Sequence, residues 1–165
     1  MLLRVSEGRY APPERLKWNP PPKEGGGHRG EVIIGGEKMS KSVEVILSKD
    51  APAPIGPYSQ AMKYGDMLFC SGQIPLDPKS GEMIGTTVAE QAEQVCKNIE
   101  AVLKAAGMDF SNVIKATCFL DKMEDFVPFN EVYGKYFVSK PARSCFAVKE
   151  LPKKALVEVE VIAVL

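Results

Sequence analysis

The sequence predicts an α+β domain in which two helices cover one face of a mixed sheet. Strand-like segments are interrupted by two segments with helical spacing. Their order is strand, hairpin, helix, strand, helix and two strands, which is typical of a layered α+β fold. In several strands, apolar residues occupy both odd- and even-numbered positions, and therefore both faces of the sheet. We therefore expect the face without helices to be covered by self-association.

The first three strands are predicted to precede the first helix. Residues 42–48 alternate, which predicts a half-buried strand whose apolar positions are Val43, Val45 and Leu47. Residues 51–57 contain three prolines and are predicted to form a loop. Residues 59–64 and 67–74 are predicted to be strands of a hairpin at the centre of the sheet, joined by a tight turn at Gly65 and Asp66.

Two helices and three strands complete the prediction. Thr87 and Glu90 form a capping-box pattern, and apolar residues then recur at helical spacing until Gly107, a predicted C-cap. Residues 113–120 are predicted to be a buried strand. The second helix has Pro128 in its first turn, is predicted to be broken by Pro141, and has an apolar face of Phe129, Val132, Tyr133, Tyr136 and Phe137. The last strands are predicted at residues 144–148 and 156–165, the latter alternating Val157, Val159, Val161 and Ala163 with Glu158, Glu160, Ile162 and Val164.

The domain is predicted to span residues 39–165, preceded by a disordered extension over residues 1–38. Twelve of those 38 residues are proline or glycine, and they show no sustained periodicity. The codons for residues 35–39 can contain a ribosome-binding sequence before the Met39 codon. One hypothesis is therefore that Met39 is the true start, and the alternative is a genuine flexible tail.

Composition argues against several functional classes. Residues 39–165 hold fourteen Lys and Arg against sixteen Asp and Glu, so nucleic acid is a poor candidate partner. No apolar run approaches the length of a membrane helix, and no membrane partner is expected. The four cysteines include no close pair and no C-x-x-C, so we expect reduced thiols in a cytoplasmic protein rather than disulfides or a zinc site.

The chemistry available to the domain is narrow. The only histidine of the chain, His28, lies in the extension, so histidine-based triads and metal sites are not expected in the domain. Neither a dinucleotide-binding nor a phosphate-loop motif occurs. We therefore expect no cofactor and no metal.

Arg143 and two glutamates are the candidate functional residues. Arg143 enters an apolar strand, where it either forms a structural salt bridge or binds the carboxylate of a ligand. Glu158 and Glu160 share one strand face, which is either a solvated face or a functional carboxylate pair. The Ser71-Gly72 pair either allows a ligand to approach the backbone or marks a bulge.

Four linked motifs occur along the domain: IGPYSQ at residues 55–60, SGQIP at 71–75, PARSC at 141–145, and Leu151-Pro152 followed by VEVE at 157–160. Together they resemble the YjgF-type reactive intermediate deaminase A family. The resemblance covers residues 40–165 in the family's order and spacing. One departure is the connection at residues 136–141, which is a residue or two shorter than usual before the arginine motif and predicts an altered cleft rim.

The resemblance implies a chorismate-mutase-like, ferredoxin-like fold and a homotrimer whose three sheets form a barrel-like centre. It implies hydrolysis of small 2-imino acids, released by serine and threonine dehydratases, to 2-oxo acids and ammonia. Arg143 matches the residue that binds the substrate carboxylate, and Glu158 matches the acid that positions or activates water. The positions that line the intersubunit cleft match Tyr58, Ser71, Gly72, Asn130 and Cys145, the last through its backbone.

A second class of function remains open within the same family. Its members include proteins credited with translation inhibition, ribonuclease-like action and ligand-dependent regulation. The alternatives to the deaminase are therefore a small-ligand-binding regulatory trimer and a ribonuclease-like protein. The intact Arg143 favours the deaminase.

Overall fold

The computed structural model describes residues 42–165, which form a six-stranded mixed sheet with two helices on one face. The predicted extension at residues 1–38 lies outside the described residues. The strands are β1 (Val43–Ile46), β2 (Ala61–Tyr64), β3 (Met67–Gln73), β4 (Val113–Leu120), β5 (Ala142–Ala147) and β6 (Val157–Val164). The helices are α1 (Val88–Ala105) and α2 (Phe126–Tyr136). The predicted fold class is confirmed.

The sheet has the strand order β1-β2-β3-β6-β4-β5. All neighbouring strands are antiparallel except β4 and β5, which are parallel. The predicted hairpin is β2 and β3, and β3 pairs with β6 at the centre of the sheet. Short 3-10 turns at Phe110–Asn112, Met123–Asp125 and Pro152–Lys154 connect the later elements.

Both ends of α1 follow the chemistry predicted for them. The Thr87 side chain accepts a hydrogen bond from the Glu90 amide, and the Glu90 carboxylate accepts one from the Thr87 amide. At the other end, Gly107 has a φ of 74°, and the amide of Met108 donates to the Leu103 carbonyl. This is a Schellman motif, in which glycine takes the left-handed conformation at low cost.

The core lies between the helices and one face of the sheet. On β6 the odd-numbered residues are buried, as the alternation predicted, and they pack with β3, β4 and α1. We call the sheet face that packs against α1 and α2 the helix face, and the opposite face of the sheet the open face. Within residues 42–165 no helix has the length and apolar character needed to cross a membrane.

The prediction that β1 buries its alternating valines is wrong for the single chain. Val43, Val45 and Leu47 are 64%, 51% and 65% exposed, and Ile46 is the buried residue of this strand. The reason is that Val43 and Val45 lie on the open face, which no helix of residues 42–165 covers. Exposed apolar residues continue along the same face in register, at Tyr64, Met67 and Phe69.

Other differences from the prediction concern element ends. α2 ends at Tyr136, five residues before Pro141, so the proline does not itself terminate the helix. β5 begins at Ala142 rather than at residue 144, because its pairing with β4 starts opposite Lys115. Arg143 is therefore inside a strand.

Candidate functional site

The side chain of Arg143 lies on the helix face, against α2. Its register partner on β4 is Ala116, which is fully buried on that face. One guanidinium nitrogen, Nη1, donates to Oδ1 of Asn130 at 2.7 Å. The guanidinium carbon is 4.7 Å from the ring centroid of Tyr133 and 5.6 Å from that of Phe126. Both distances are within the range of cation–π attraction.

Arg143 has no carboxylate partner within residues 42–165, so the structural salt bridge considered above is absent there. A guanidinium carries five N–H donors. Asn130 is its only hydrogen-bond acceptor in the described part of the chain. The half-buried positive charge is thus held by an amide and two rings, and its remaining donors are available to an anion.

The helix α2 places the residues around Arg143 by simple spacing. Phe126, Asn130 and Tyr133 stand at positions i, i+4 and i+7, which puts them on one side of a helix. Tyr133 in turn stacks on Phe137 with centroids 4.0 Å apart and planes at 7°. The sequence reasoning identified Asn130 but missed Phe126 and Tyr133, although the same spacing could have indicated them.

Cys145 lies two residues after Arg143 on β5 and therefore on the same face. It is half-buried, and its register partner on β4 is Cys118. Burial raises the pKa of the Cys145 thiol, while Arg143 and Cys118 partly oppose the rise. We call Arg143, Asn130, Cys145, Tyr133 and Phe126 the arginine cluster.

Glu158 lies on the open face of β6, opposite Phe119 of β4. It is half-buried, whereas Glu160 on the same face is exposed. Burial raises the pKa of Glu158 above its ordinary value of 4.5, and the nearby Glu160 charge adds to the rise. The sequence alone does not distinguish the two carboxylates. Their burial does, because Glu158 is half-buried and Glu160 is exposed.

Gly72 lies at a bulge in β3 and provides space for Glu158. The pairing of β3 with β6 shifts register between Cys70 and Gln73. A Cβ atom added to Gly72 would overlap Oε1 of Glu158, so the carboxylate lies directly against the glycine backbone. The group that approaches this backbone is therefore a side chain of the same protein, and the bulge considered above is present.

Ser71 and Tyr58 lie beside Gly72. The Ser71 hydroxyl donates to the Ser59 carbonyl at 2.7 Å. The Tyr58 hydroxyl accepts from the Ile55 amide at 3.3 Å, and Tyr58 and Gly72 line the same small hollow. We call Glu158, Gly72, Ser71 and Tyr58 the glutamate cluster.

The two clusters are on opposite sides of the sheet. Arg143 points to the helix face and Glu158 to the open face, so the two side chains point away from each other. The structure thus groups the predicted site residues into two sets. A single chain does not bring the two sets together.

The connection between α2 and β5 adopts an unusual conformation. Lys140 has a φ of 52° directly before Pro141. Non-glycine residues are uncommon at positive φ, and a following proline restricts them further. The connection leads straight into Arg143 and is therefore part of the arginine cluster's surroundings. That it is shorter than usual for the family, with an altered cleft rim, stays a prediction.

Within residues 42–165, no group of three or more His, Cys, Asp or Glu side chains is arranged to hold a metal ion. What the two clusters offer is a guanidinium with free donors and a carboxyl with a raised pKa. The first suits an anionic ligand and the second suits proton transfer.

The chain is similar to known proteins in sequence. Residues 48–165 match the family model described as Endoribonuclease L-PSP. The 2-iminobutanoate/2-iminopropanoate deaminase of Mus musculus is 48% identical over 122 residues, which cover 73% of this chain and 90% of the mouse protein.

Two solved structures are similar to this chain in both fold and sequence. YyfA of Yersinia pestis, described as a member of the conserved Rid protein family, has a TM-score of 0.73 and 43% identity, covering 75% of this chain and all of its own. TdcF of E. coli, solved with bound serine, has a TM-score of 0.71 and 40% identity, covering 74% of this chain and 98% of its own.

Proposed function

Since the chain belongs to the family of endoribonuclease L-PSP and Rid proteins, we propose that residues 39–165 form a cofactor-independent deaminase that hydrolyses small 2-imino acids. The products are 2-oxo acids and ammonia. The observation that carries the proposal is Arg143, a half-buried guanidinium that is held in place without a carboxylate partner in residues 42–165. The deaminase activity named for the mouse relative and the serine bound to TdcF support the same choice of ligand.

Arg143 is proposed to bind the substrate carboxylate through two parallel hydrogen bonds. Its planar guanidinium matches the geometry of a carboxylate. Asn130 accepts a hydrogen bond from one N–H of the guanidinium, and the Tyr133 ring packs against the guanidinium. These two contacts limit the rotation of the guanidinium. The substrate therefore binds to an arginine that is already ordered, which lowers the free-energy cost of reaching the reactive geometry.

Glu158 is proposed to be the general base. It takes a proton from water as the water oxygen bonds to C2 of the imine, and it passes this proton to the imine nitrogen, which gives a neutral carbinolamine. Glu158 then carries the hydroxyl proton of the carbinolamine to the same nitrogen, the C–N bond breaks as the C=O bond forms, and ammonia leaves the 2-oxo acid. The raised pKa of Glu158 makes its carboxylate a stronger base than an exposed glutamate. Tyr58, Ser71, Gly72 and the backbone of Cys145 are proposed to complete the substrate cleft.

We also propose that the working form is a homotrimer with clefts between subunits. The two clusters face away from each other in one chain, so the proposed site combines the arginine cluster of one subunit with the glutamate cluster of a neighbouring subunit. The open face exposes an apolar surface that association would cover, comprising Val43, Val45, Tyr64, Met67 and Phe69. Three sheets meeting through this face form a barrel-like centre.

The direct test is an assay in which a serine or threonine dehydratase generates the imine continuously. We expect the protein to accelerate formation of 2-oxo acid and ammonia above the spontaneous rate. Arg143→Ala is the control, since it removes the proposed carboxylate contact. A rate equal to that of the buffer, with a protein that is folded and assembled, would exclude the deaminase and leave a binding or regulatory role.

A ribonuclease-like function is the second candidate, because the matched family model is described as an endoribonuclease. The same preparations can be incubated with a labelled RNA. Cleavage that survives in Arg143→Ala would separate this activity from the deaminase site.

A further inference from the structure

Cys118 and Cys145 are partners across the parallel strands β4 and β5. The two residues stand directly opposite each other in register, and both side chains are on the helix face. Neighbouring strands lie about 4.7–4.9 Å apart. Disulfide-bonded cysteines have Cα atoms about 4.4–6.8 Å apart. The register therefore places the two thiols at a spacing that a disulfide can bridge.

The two thiols differ in accessibility. Cys118 is fully buried, and Cys145 is half-buried in the arginine cluster. The two remaining cysteines, Cys70 and Cys96, are buried on β3 and α1. Cys70 has no cysteine opposite it in the sheet register, and Cys96 lies near enough to Cys118 for that thiol to raise its pKa, but it is as buried as Cys118. Cys145 is thus the thiol that a small reagent entering the proposed cleft can reach, and Cys118 stands behind it.

The thiols also influence each other's ionisation. Burial raises the pKa of Cys118 to about 12; Cys145 adds to the rise, and Arg143 and Lys115 oppose it only in part. Burial also raises the pKa of Cys145, but Arg143 and Cys118 oppose that rise. The asymmetry favours thiolate formation at Cys145 rather than at Cys118. Because thiolates are the reactive form, Cys145 is the one expected to react first.

We propose that Cys145 and Cys118 form a thiol pair that a hydroperoxide converts to a reversible disulfide. The Cys145 thiolate attacks the outer oxygen of the hydroperoxide, the O–O bond breaks, and Cys145 sulfenic acid and an alcohol or water are produced. The sulfur of Cys118 then attacks the sulfur of the sulfenic acid. An S–S bond forms, and the hydroxyl leaves as water with the proton of Cys118.

Disulfide formation is expected to inhibit the proposed deaminase. Closing the S–S bond to about 2.05 Å draws Cys145 towards β4. Arg143 is two residues away on the same strand and face, so its contacts with Asn130 and Tyr133 are disturbed. A disulfide whose closure displaces its surroundings is more easily reduced than a relaxed one, which makes the inhibition reversible.

The pairing can be tested without reference to activity. The full chain is treated with hydrogen peroxide, free thiols are counted, and peptides are mapped by mass spectrometry. We expect the four free thiols to fall to two, with a mass loss of about 2 Da on the Cys118–Cys145 peptide pair. Dithiothreitol should restore all four. A constant count, or oxidation of Cys145 while Cys118 stays free, overturns the proposal.

Two variants separate the pair from general oxidation. Cys118→Val keeps a buried strand side chain, so we expect full basal activity but no mapped disulfide and no recovery of peroxide-treated activity by dithiothreitol. Cys70→Val removes a buried thiol outside the pair and should behave like the original protein. Reversible inactivation that persists in Cys118→Val contradicts the mechanism. The activity readout rests on the proposed function, whereas the thiol count and mapping do not.

Discussion

The arginine and glutamate clusters are built in opposite ways. The arginine cluster is a charge held by side chains of one helix, with an amide acceptor at 2.7 Å and an aromatic ring beneath it. In the glutamate cluster the carboxylate lies over a glycine backbone at a bulge, on the face that residues 42–165 leave without a helix. Under the proposed function, folding preorganises the arginine half of the site, whereas the glutamate half would be completed by assembly.

The largest expected effect is that of Glu158→Gln. The amide preserves the size of the side chain, but it is not basic enough to take a proton from water. We expect kcat to fall by about 10²–10⁴-fold with little change in affinity for a carboxylate inhibitor. Steady-state kinetics with the dehydratase-generated imine and an inhibition assay measure the two quantities.

Glu160→Gln is the matched control, since the residue has the same chemistry on the same face but is exposed. It should retain near-normal kcat and affect mainly packing or assembly. Equal and mild effects of the two substitutions would mean that both carboxylates are structural, and that catalysis depends on orientation by Arg143 and the backbone.

Arg143→Lys tests the other half of the comparison. Lysine keeps the charge, but it cannot form two parallel hydrogen bonds with a carboxylate or stack its head group on the Tyr133 ring as a planar guanidinium does. A lost hydrogen bond to a charged group predicts a decrease in kcat/KM of about 10- to 100-fold. Near-normal turnover by a folded, assembled variant would refute the proposed role.

Mixing the two inactive proteins tests whether assembly joins the clusters. If each site takes Arg143 from one subunit and Glu158 from the next, random trimers of Arg143→Ala and Glu158→Gln chains contain both native residues in about a quarter of their sites. Denaturing and refolding an equimolar mixture should therefore recover about a quarter of the original activity, as expected for random exchange in a closed ring. Recovery of none would place both residues of each site in the same subunit.

The sequence was sufficient for the fold but not for the relation between the clusters. Helical spacing, the Thr87 capping box and the alternation on β6 are local patterns, and the structure confirms them. The burial of Val43 and Val45 was predicted wrongly, because alternation shows that a strand has two faces and not which face the helices cover. The separation of Arg143 from Glu158 depends on strand order and register, which are set by long-range pairing and leave no local signal.

A smaller effect than those of the substitutions above is expected in the pH dependence of the deaminase, and it should distinguish Glu158 from Glu160. The ionised form of Glu158 is the active one, so activity should fall as the pH decreases through its raised pKa. Burial is the main cause of the rise and Glu160 adds to it. Glu160→Gln should therefore shift the acidic limb of the kcat profile to lower pH, but only partly towards an ordinary glutamate. An unchanged limb would mean that another group controls it.

The smallest expected effect is that of Tyr133→Phe, which tests what supports the arginine. Tyr133 is buried, and its hydroxyl has no hydrogen-bond partner in the described part of the chain. Phenylalanine keeps the stack on Phe137 and the ring beneath Arg143, while it removes a buried polar group whose burial is uncompensated. We expect unchanged kcat/KM and a free energy of unfolding that rises by about 1 kcal/mol, measured by urea denaturation. Tyr133→Leu is the contrasting variant, because it lacks the ring and should raise KM. A fall in stability or activity in Tyr133→Phe would show that the hydroxyl has a hydrogen-bond partner outside residues 42–165, as an interface with a second subunit would supply.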